Sequence, residues 1–196
     1  MAYFLDNFFK EFDYIILAFF HNLALKAGTF LTPFCKFLAI TGKFPFLLVG
    51  FLALILAISK KYRRIGLTML VSMIIGAIMT SLIIKPTVLR PRPYQSGNKL
   101  YEEWWEYVGS SIEHDSSFSS GHTCVAASSV MGYYLASKNK YKILAFIYPL
   151  LMACSRIYLC VHYPSDVLGG IIVGTIASLL ANTLVSFIYK KRALGS

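Results

Sequence analysis

Basic residues, histidines and a lone carboxylate gather in three short stretches of this chain, each beside an apolar run. The first is Lys85-Pro-Thr-Val-Leu-Arg90-Pro-Arg92-Pro93, three cations within eight residues. Pro86, Pro91 and Pro93 end a helix and hold the backbone extended, which restricts the angles at which the cations project. Arginine suits bidentate recognition of phosphate and lysine its neutralisation as a point charge. The same cations could instead snorkel to lipid head groups.

The second stretch is Ser117-Phe-Ser119-Ser120-Gly121-His122-Thr123, directly before an apolar helix. Backbone amides at a helix N-terminus opened by Ser and Gly form an anion cradle, and His122 at its edge could donate a proton to a leaving oxygen. The plainer alternative makes Ser120 an N-cap and His122 an interfacial polar residue. The third stretch runs from Ser155-Arg156 to His162 and Asp166. Pro164 suits a first helical turn, so His162 and Asp166 can face each other there. A carboxylate accepting from one imidazole nitrogen leaves the other free to attack phosphorus, although such a pair can also be purely structural.

These groups are far apart along the polymer, so a scaffold must bring them together. With 57% hydrophobic residues, 14% charged ones and a mean hydropathy of +0.61, the chain is too apolar for an ordinary soluble domain. It reads as one domain over residues 1–196, an all-α, polytopic transmembrane helical bundle of about six helices. Five spans are clear: Phe44 to Ser59, Ile65 to Ile84, His122 to Ala136, Ile143 to Cys160 and Val167 to Tyr189. The first and third are short for a bilayer and call for local thinning or extension of the helix ends. Residues 12–40 are apolar but interrupted by His21, Asn22, Lys26, Gly28, Pro33 and Lys36, and fit either one span or an interfacial helical hairpin. Small residues in the last span, including Gly170-x-x-x-Gly174, permit close helix packing.

A net charge of +10 raises nucleic acid as a partner, but the cations cluster at the ends of apolar runs, as membrane topology requires. Lys60, Lys61, Arg63 and Arg64, then Lys138, Lys140 and Lys142, then Lys190, Lys191 and Arg192 mark three cytoplasmic ends by the positive-inside rule. Residues 85–166, which hold all three stretches, then present their chemistry on the extracytoplasmic side. Cys35, Cys124, Cys154 and Cys160 lack metal-ligand or redox spacing and read as buried apolar residues. Residues 1–13 lack the plan of a signal peptide, so the first helices are expected to stay in the mature protein.

Taken together, the stretches resemble the three-part signature of the type 2 phosphatidic acid phosphatase superfamily: Lys-x6-Arg-Pro, Pro-Ser-Gly-His and Ser-Arg-x5-His-x3-Asp. Lys85 to Arg92-Pro93 matches the first part, and Ser155-Arg156 to His162 to Asp166 the third. The second matches as Ser120-Gly121-His122, with Ser119 where the family usually has proline. The resemblance implies a membrane lipid phosphatase in which His162 forms a phosphohistidine, Asp166 orients it and His122 protonates the leaving group. It further implies that Lys85, Arg92, Arg156, Ser120 and the Gly121 amide bind phosphate, with no metal or other cofactor. Arg90 lies outside the signature and is at most an auxiliary phosphate contact.

The partner so implied is a phosphorylated membrane lipid. Outer placement favours a carrier diphosphate such as undecaprenyl diphosphate, with phosphatidylglycerol phosphate and phosphatidate as alternatives. Phosphotransfer to a second lipid, a transporter and a non-catalytic lipid-binding protein are the other readings. The transporter reading predicts charges deep within several spans, and the interiors of these spans are almost free of them. Glu102 to Tyr107, with Trp104 and Trp105, reads as an interfacial element that could also cover the site. His114 and His21 read as ordinary polar positions.

Overall fold

Long apolar stretches can satisfy their own backbone hydrogen bonds as helices, and the chain is helical nearly throughout. The structure, a computed structural model, describes residues 1–43 and 46–194, with the side chains of residues 43, 46, 47 and 192–194 left aside. Phe44, where the first clear span was expected to begin, and the Arg192 side chain lie outside the described residues. A short α1 (Ala2–Phe8) leads into α2 (Lys10–Lys43). A π-helical segment, Phe46–Gly50, precedes α3 (Phe51–Ile58), and α4 (Arg63–Ile78) continues through a second one, Met79–Ile84, into α5 (Lys85–Val88). Then follow α6 (Lys99–Tyr107), α7 (Gly121–Ala136), α8 (Ile147–Tyr158) and α9 (Pro164–Leu194).

Residues 12–40 lie within one long helical run, which fits the reading as one span, but the run is bent. The break is at Ala27, whose φ of −135° and ψ of 18° leave the helical region. The first half of α2 sets Leu17 into a cluster with Tyr101, Trp104, Cys160 and Val167. The second half runs along α8, where the Thr32 and Tyr158 hydroxyls are 2.8 Å apart.

The expected fourth span is also divided: a 3-10 turn, Lys142–Phe146, precedes α8. Pro149 falls in the first turn of α8, where its missing N–H breaks no hydrogen bond. By length and composition, Lys10–Gly42, Arg63–Gln95 and Pro164–Lys191 can each cross a membrane, while α3, α7 and α8 are shorter.

The core is the contact of α4, α7 and α9, made close by small side chains. A Cβ on Gly170 would stand 2.7 Å from the Ser120 carbonyl, and one on Gly174 would stand 2.7 Å from that of Cys124. Gly76 packs in the same way against Cys124 and Ser128 of α7, and the Ser178 hydroxyl donates across the interface to the Ser128 carbonyl at 2.9 Å. This is the helix contact that Gly170-x-x-x-Gly174 leads one to expect.

The outer faces are apolar, with Leu82, Ile172, Leu180 and Phe187 all exposed, as suits lipid-facing positions. Arg64 donates to Ser186 at 3.0 Å, so the basic α3–α4 turn lies at the same end of the bundle as the basic end of α9. Each core helix thus carries Lys and Arg near one terminus and the signature residues at the other.

Candidate active site

Helix ends position every signature side chain. α4 ends in Lys85, and at Leu89 the backbone turns into the left-handed region, φ 52°, which closes α5 and swings Arg90 and Arg92 across the end of the bundle. Arg92 itself is extended, as a residue preceding proline must be. Gly121 and His122 open α7, His162 occupies the turn between α8 and α9, and Asp166 sits in the first turn of α9.

Lys85, Arg92, Gly121, His122 and His162 line one cavity of about 440 Å³, along with Gly42, Thr80, Glu113 and Asp115. Of the remaining candidates, Arg156 reaches this cavity through Glu113, whose Oε1 accepts from its Nη2 at 2.6 Å. Asp166 is fully buried behind His162. Ser120 departs from the expectation: its hydroxyl lies 3.0 Å from that of Thr123 and its N–H donates to the Asp166 carbonyl. The start of α7 leaves orphan backbone groups to be satisfied, and Ser120 is the residue placed there.

One tautomer of His162 fits its surroundings. Arg92 Nη1 lies 3.3 Å from Nε2, and a guanidinium can only donate, so Nε2 carries the lone pair and Nδ1 the proton. Nδ1 stands 3.5 Å from both Asp166 Oδ2 and Ser117 Oγ. The carboxylate was expected to accept directly from the ring, but Oδ2 already accepts from the Ser117 hydroxyl and from the Tyr163 N–H at 2.9 Å. Ser117 and the carboxylate therefore face Nδ1 side by side, at the same distance. Burial, then the neighbouring Arg92 and Arg156 guanidiniums, hold His162 well below the ordinary imidazole value, so the ring is neutral at neutral pH.

Asp115 bridges two of the cavity's cations, accepting from Lys85 Nζ at 2.6 Å and from Arg92 Nη2. Although burial pushes the other way, Lys85 and Arg92 hold its carboxyl at about 2. On the opposite imidazole, His122 Nε2 is buried without a hydrogen-bond partner among the described residues. Gly42 lies against that ring: a Cβ there would come within 2.3 Å of His122 Cδ2.

Arg90 does not line the cavity. It turns behind Asp166, to which Nη1 donates at 2.7 Å, and also binds Asp6 and Asp13. Among the described residues no cluster of three or more His, Cys, Asp or Glu side chains could hold a metal ion.

Nothing in the spacing of the signature singled out Ser117, Glu113, Asp115, Asp13 or Gly42. For Glu113 and Asp115 a signal existed, since two carboxylates in a connection flanked by three cations invite pairing. Asp13 and Gly42 come from α2, which holds no part of the signature.

Comparison with known proteins matches residues 65–190 to the PAP2 superfamily. An undecaprenyl-diphosphatase of Sulfolobus acidocaldarius is 31% identical over 127 residues, 65% of this chain and 58% of the relative. Phosphatidylglycerophosphatase B of Bacillus subtilis is 39% identical over 98 residues, 42% of this chain and 48% of the relative. The chain therefore spans about half the length of the relatives it matches.

Among solved structures, Aquifex aeolicus LpxE superposes with a TM-score of 0.62 at 23% identity, over 77% of this chain and 84% of that one. The transmembrane PAP2-type phosphatidylglycerolphosphate phosphatase of Bacillus subtilis superposes at 0.59, also at 23% identity, over 96% and 97%. At that identity the two structures establish a shared transmembrane helical fold.

Proposed function

The chain belongs to the PAP2 superfamily, and from that premise we propose that it is a multi-pass membrane phosphatase that hydrolyses a lipid phosphomonoester or diphosphate through a phosphohistidine. The observation that carries the reading is that His122 and His162 line one cavity together with Lys85 and Arg92. His162 Nε2 holds a lone pair and attacks phosphorus, while His122 gives a proton to the departing lipid oxygen. Water then cleaves the phosphorus–nitrogen bond, with His122 as the base. Lys85, Arg92 and the amide of Gly121 stabilise the charge on the equatorial oxygens, and Arg156 joins them from beside Glu113. Asp166, 3.5 Å from Nδ1, stabilises the ring as it becomes cationic, with the Ser117 hydroxyl beside it. The chemistry needs no divalent cation.

The basic turns at the opposite end of the bundle favour an extracytoplasmic site and a cytoplasmic C-terminus. A lipid carrier diphosphate such as undecaprenyl diphosphate is the favoured substrate, in keeping with the name of the Sulfolobus relative. Phosphate release from undecaprenyl diphosphate, phosphatidylglycerol phosphate and phosphatidate in detergent, with and without chelator, tests this reading. His162→Ala is expected to lose at least about a thousandfold in kcat while staying monodisperse. Full activity in that variant, or loss of wild-type activity to chelator, would overturn the mechanism.

A further inference from the structure

A carboxylate with no exposure needs a compensating charge, and the one that Asp166 has comes from outside the signature. Arg90 is 2% exposed and engages all three of its guanidinium nitrogens. Nη1 donates to Asp166 Oδ1 and to Ser165 Oγ, both at 2.7 Å. Nη2 donates to Asp13 Oδ2 at 2.9 Å and Nε to Asp6 Oδ1 at 2.8 Å, while the guanidinium carbon lies 3.9 Å from the centre of the Tyr163 ring.

Asp13, 2% exposed, also accepts from the Ser165 N–H at 2.8 Å and the Ser165 hydroxyl at 2.7 Å. The Ser165 amide is one of the orphan donors at the start of α9. A carboxylate from α2 therefore caps the helix that carries Asp166 and shares Arg90 with it. Asp13 lies outside the residues matched to the superfamily.

We propose that Arg90 and Asp13 are positioning residues of the reaction: Asp13 divides the charge of Arg90 with Asp166, and that division sets how strongly Asp166 supports His162. The proposal rests on the reading of His162 as nucleophile. Removing the Asp13 charge leaves more of the guanidinium's field on Asp166, weakens its support of a cationic imidazole and makes His162 harder to protonate. Removing the Arg90 charge shifts His162 the other way, but it also takes away the donor that fixes Asp166 Oδ1, so the acid loses its placement and turnover falls in this variant too. The other charged or titratable groups facing this chain include Asp6, Lys10, Tyr101 and Tyr163 beside Arg90 and Asp13, and His122, Arg92, Arg156, Lys85 and Asp115 around His162. All of them stay in place in both variants.

The test is phosphate release by the full chain in detergent from undecaprenyl diphosphate and from phosphatidate, as a function of pH, per monodisperse molecule. Asp13→Asn is expected to lower kcat about tenfold and Arg90→Gln about a hundredfold, with KM held within about twofold. The acid limb of the kcat/KM profile moves to lower pH in Asp13→Asn and to higher pH in Arg90→Gln, and the double variant brings it back towards the wild type.

A purely architectural role moves neither limb and leaves kcat per folded molecule unchanged, and that result would overturn the proposal. If neither variant is monodisperse, Ser165→Ala decides: it keeps every charge, and a kcat about threefold lower supports the proposal while an unchanged kcat defeats it. His162→Ala run beside them separates the two levels. If it retains activity, the reaction assignment fails and takes this inference with it. If it is inactive while the Arg90 and Asp13 variants match the wild type, this inference alone falls.

Discussion

Asp166 and Asp115 each pair with a guanidinium beside the same histidine, yet they live in opposite surroundings. The Asp166 side chain is 0% exposed and that of Asp115 57%. Asp166 accepts from Arg90, from the Ser117 hydroxyl and from the Tyr163 amide, all fixed by the first turn of α9 and the loops that meet it. Asp115 comes from the connection between α6 and α7, and among the described residues its carboxylate binds Lys85 and Arg92, the cations that suit an incoming phosphoryl group. A buried, fully engaged acid can orient its neighbour; a half-exposed one can turn into water at little cost. The first acid serves geometry, and the second competes with phosphate for the same two cations.

The widest test of that contrast is Asp166→Asn. The amide keeps the shape but cannot stabilise a cationic His162, so kcat is expected to fall at least about a hundredfold while KM stays near the wild-type value. Steady-state kinetics on phosphatidate measure both. A loss confined to KM would assign Asp166 to binding and erase the distinction.

How much of this contrast could be seen in the sequence depended on chain distance. His162 and Asp166 are four residues apart and Lys85 and Arg92 seven apart, so their spacing alone put each pair within reach. The helical bundle followed from apolar runs, and the contact at Gly170 and Gly174 from residue size. What escaped were partners chosen by tertiary packing. Arg90 meets Asp13 across 77 positions, and Ser165 meets it across 152. The bend at Ala27 adjoins Gly28, one of several interruptions in this stretch among which spacing does not choose, and it is what lets one half of α2 meet the α8–α9 turn while the other descends α8. The direction of the Ser120 hydroxyl, towards Thr123, is likewise a local choice between two available partners that spacing does not settle.

The second imidazole sharpens the comparison, because among the described residues His122 has no carboxylate of its own and is placed by packing. Gly42→Ala would set a methyl against its ring and against Met152 Cε, 3.0 Å from the new Cβ. We expect about a tenfold fall in kcat on a lipid phosphate, whose leaving oxygen needs a proton, and less than about a twofold fall on p-nitrophenyl phosphate, whose leaving group does not. An equal fall on both substrates would mean that the ring is not the proton donor, or that the glycine acts on something else.

The smallest effect is expected at Asp115. In Asp115→Asn the neutral amide competes less well for Lys85 and Arg92, so KM for phosphatidate falls about threefold with kcat little changed. The pH dependence carries a sign. Asp115 is held at about 2, below its ordinary value, so its pairing is complete above the usual carboxylate range and is lost only as pH falls through that value. Asp115 thus stays charged across the working range of an imidazole nucleophile, and the KM ratio of variant to wild type should be the same at pH 5 as at pH 8. A ratio that collapsed towards one at pH 5 would mean that the carboxylate had already taken up a proton there. The two cations would then grip it far less tightly than the bridge between Lys85 and Arg92 requires, and Asp115 would be a bystander at the mouth of the site instead of a rival for phosphate.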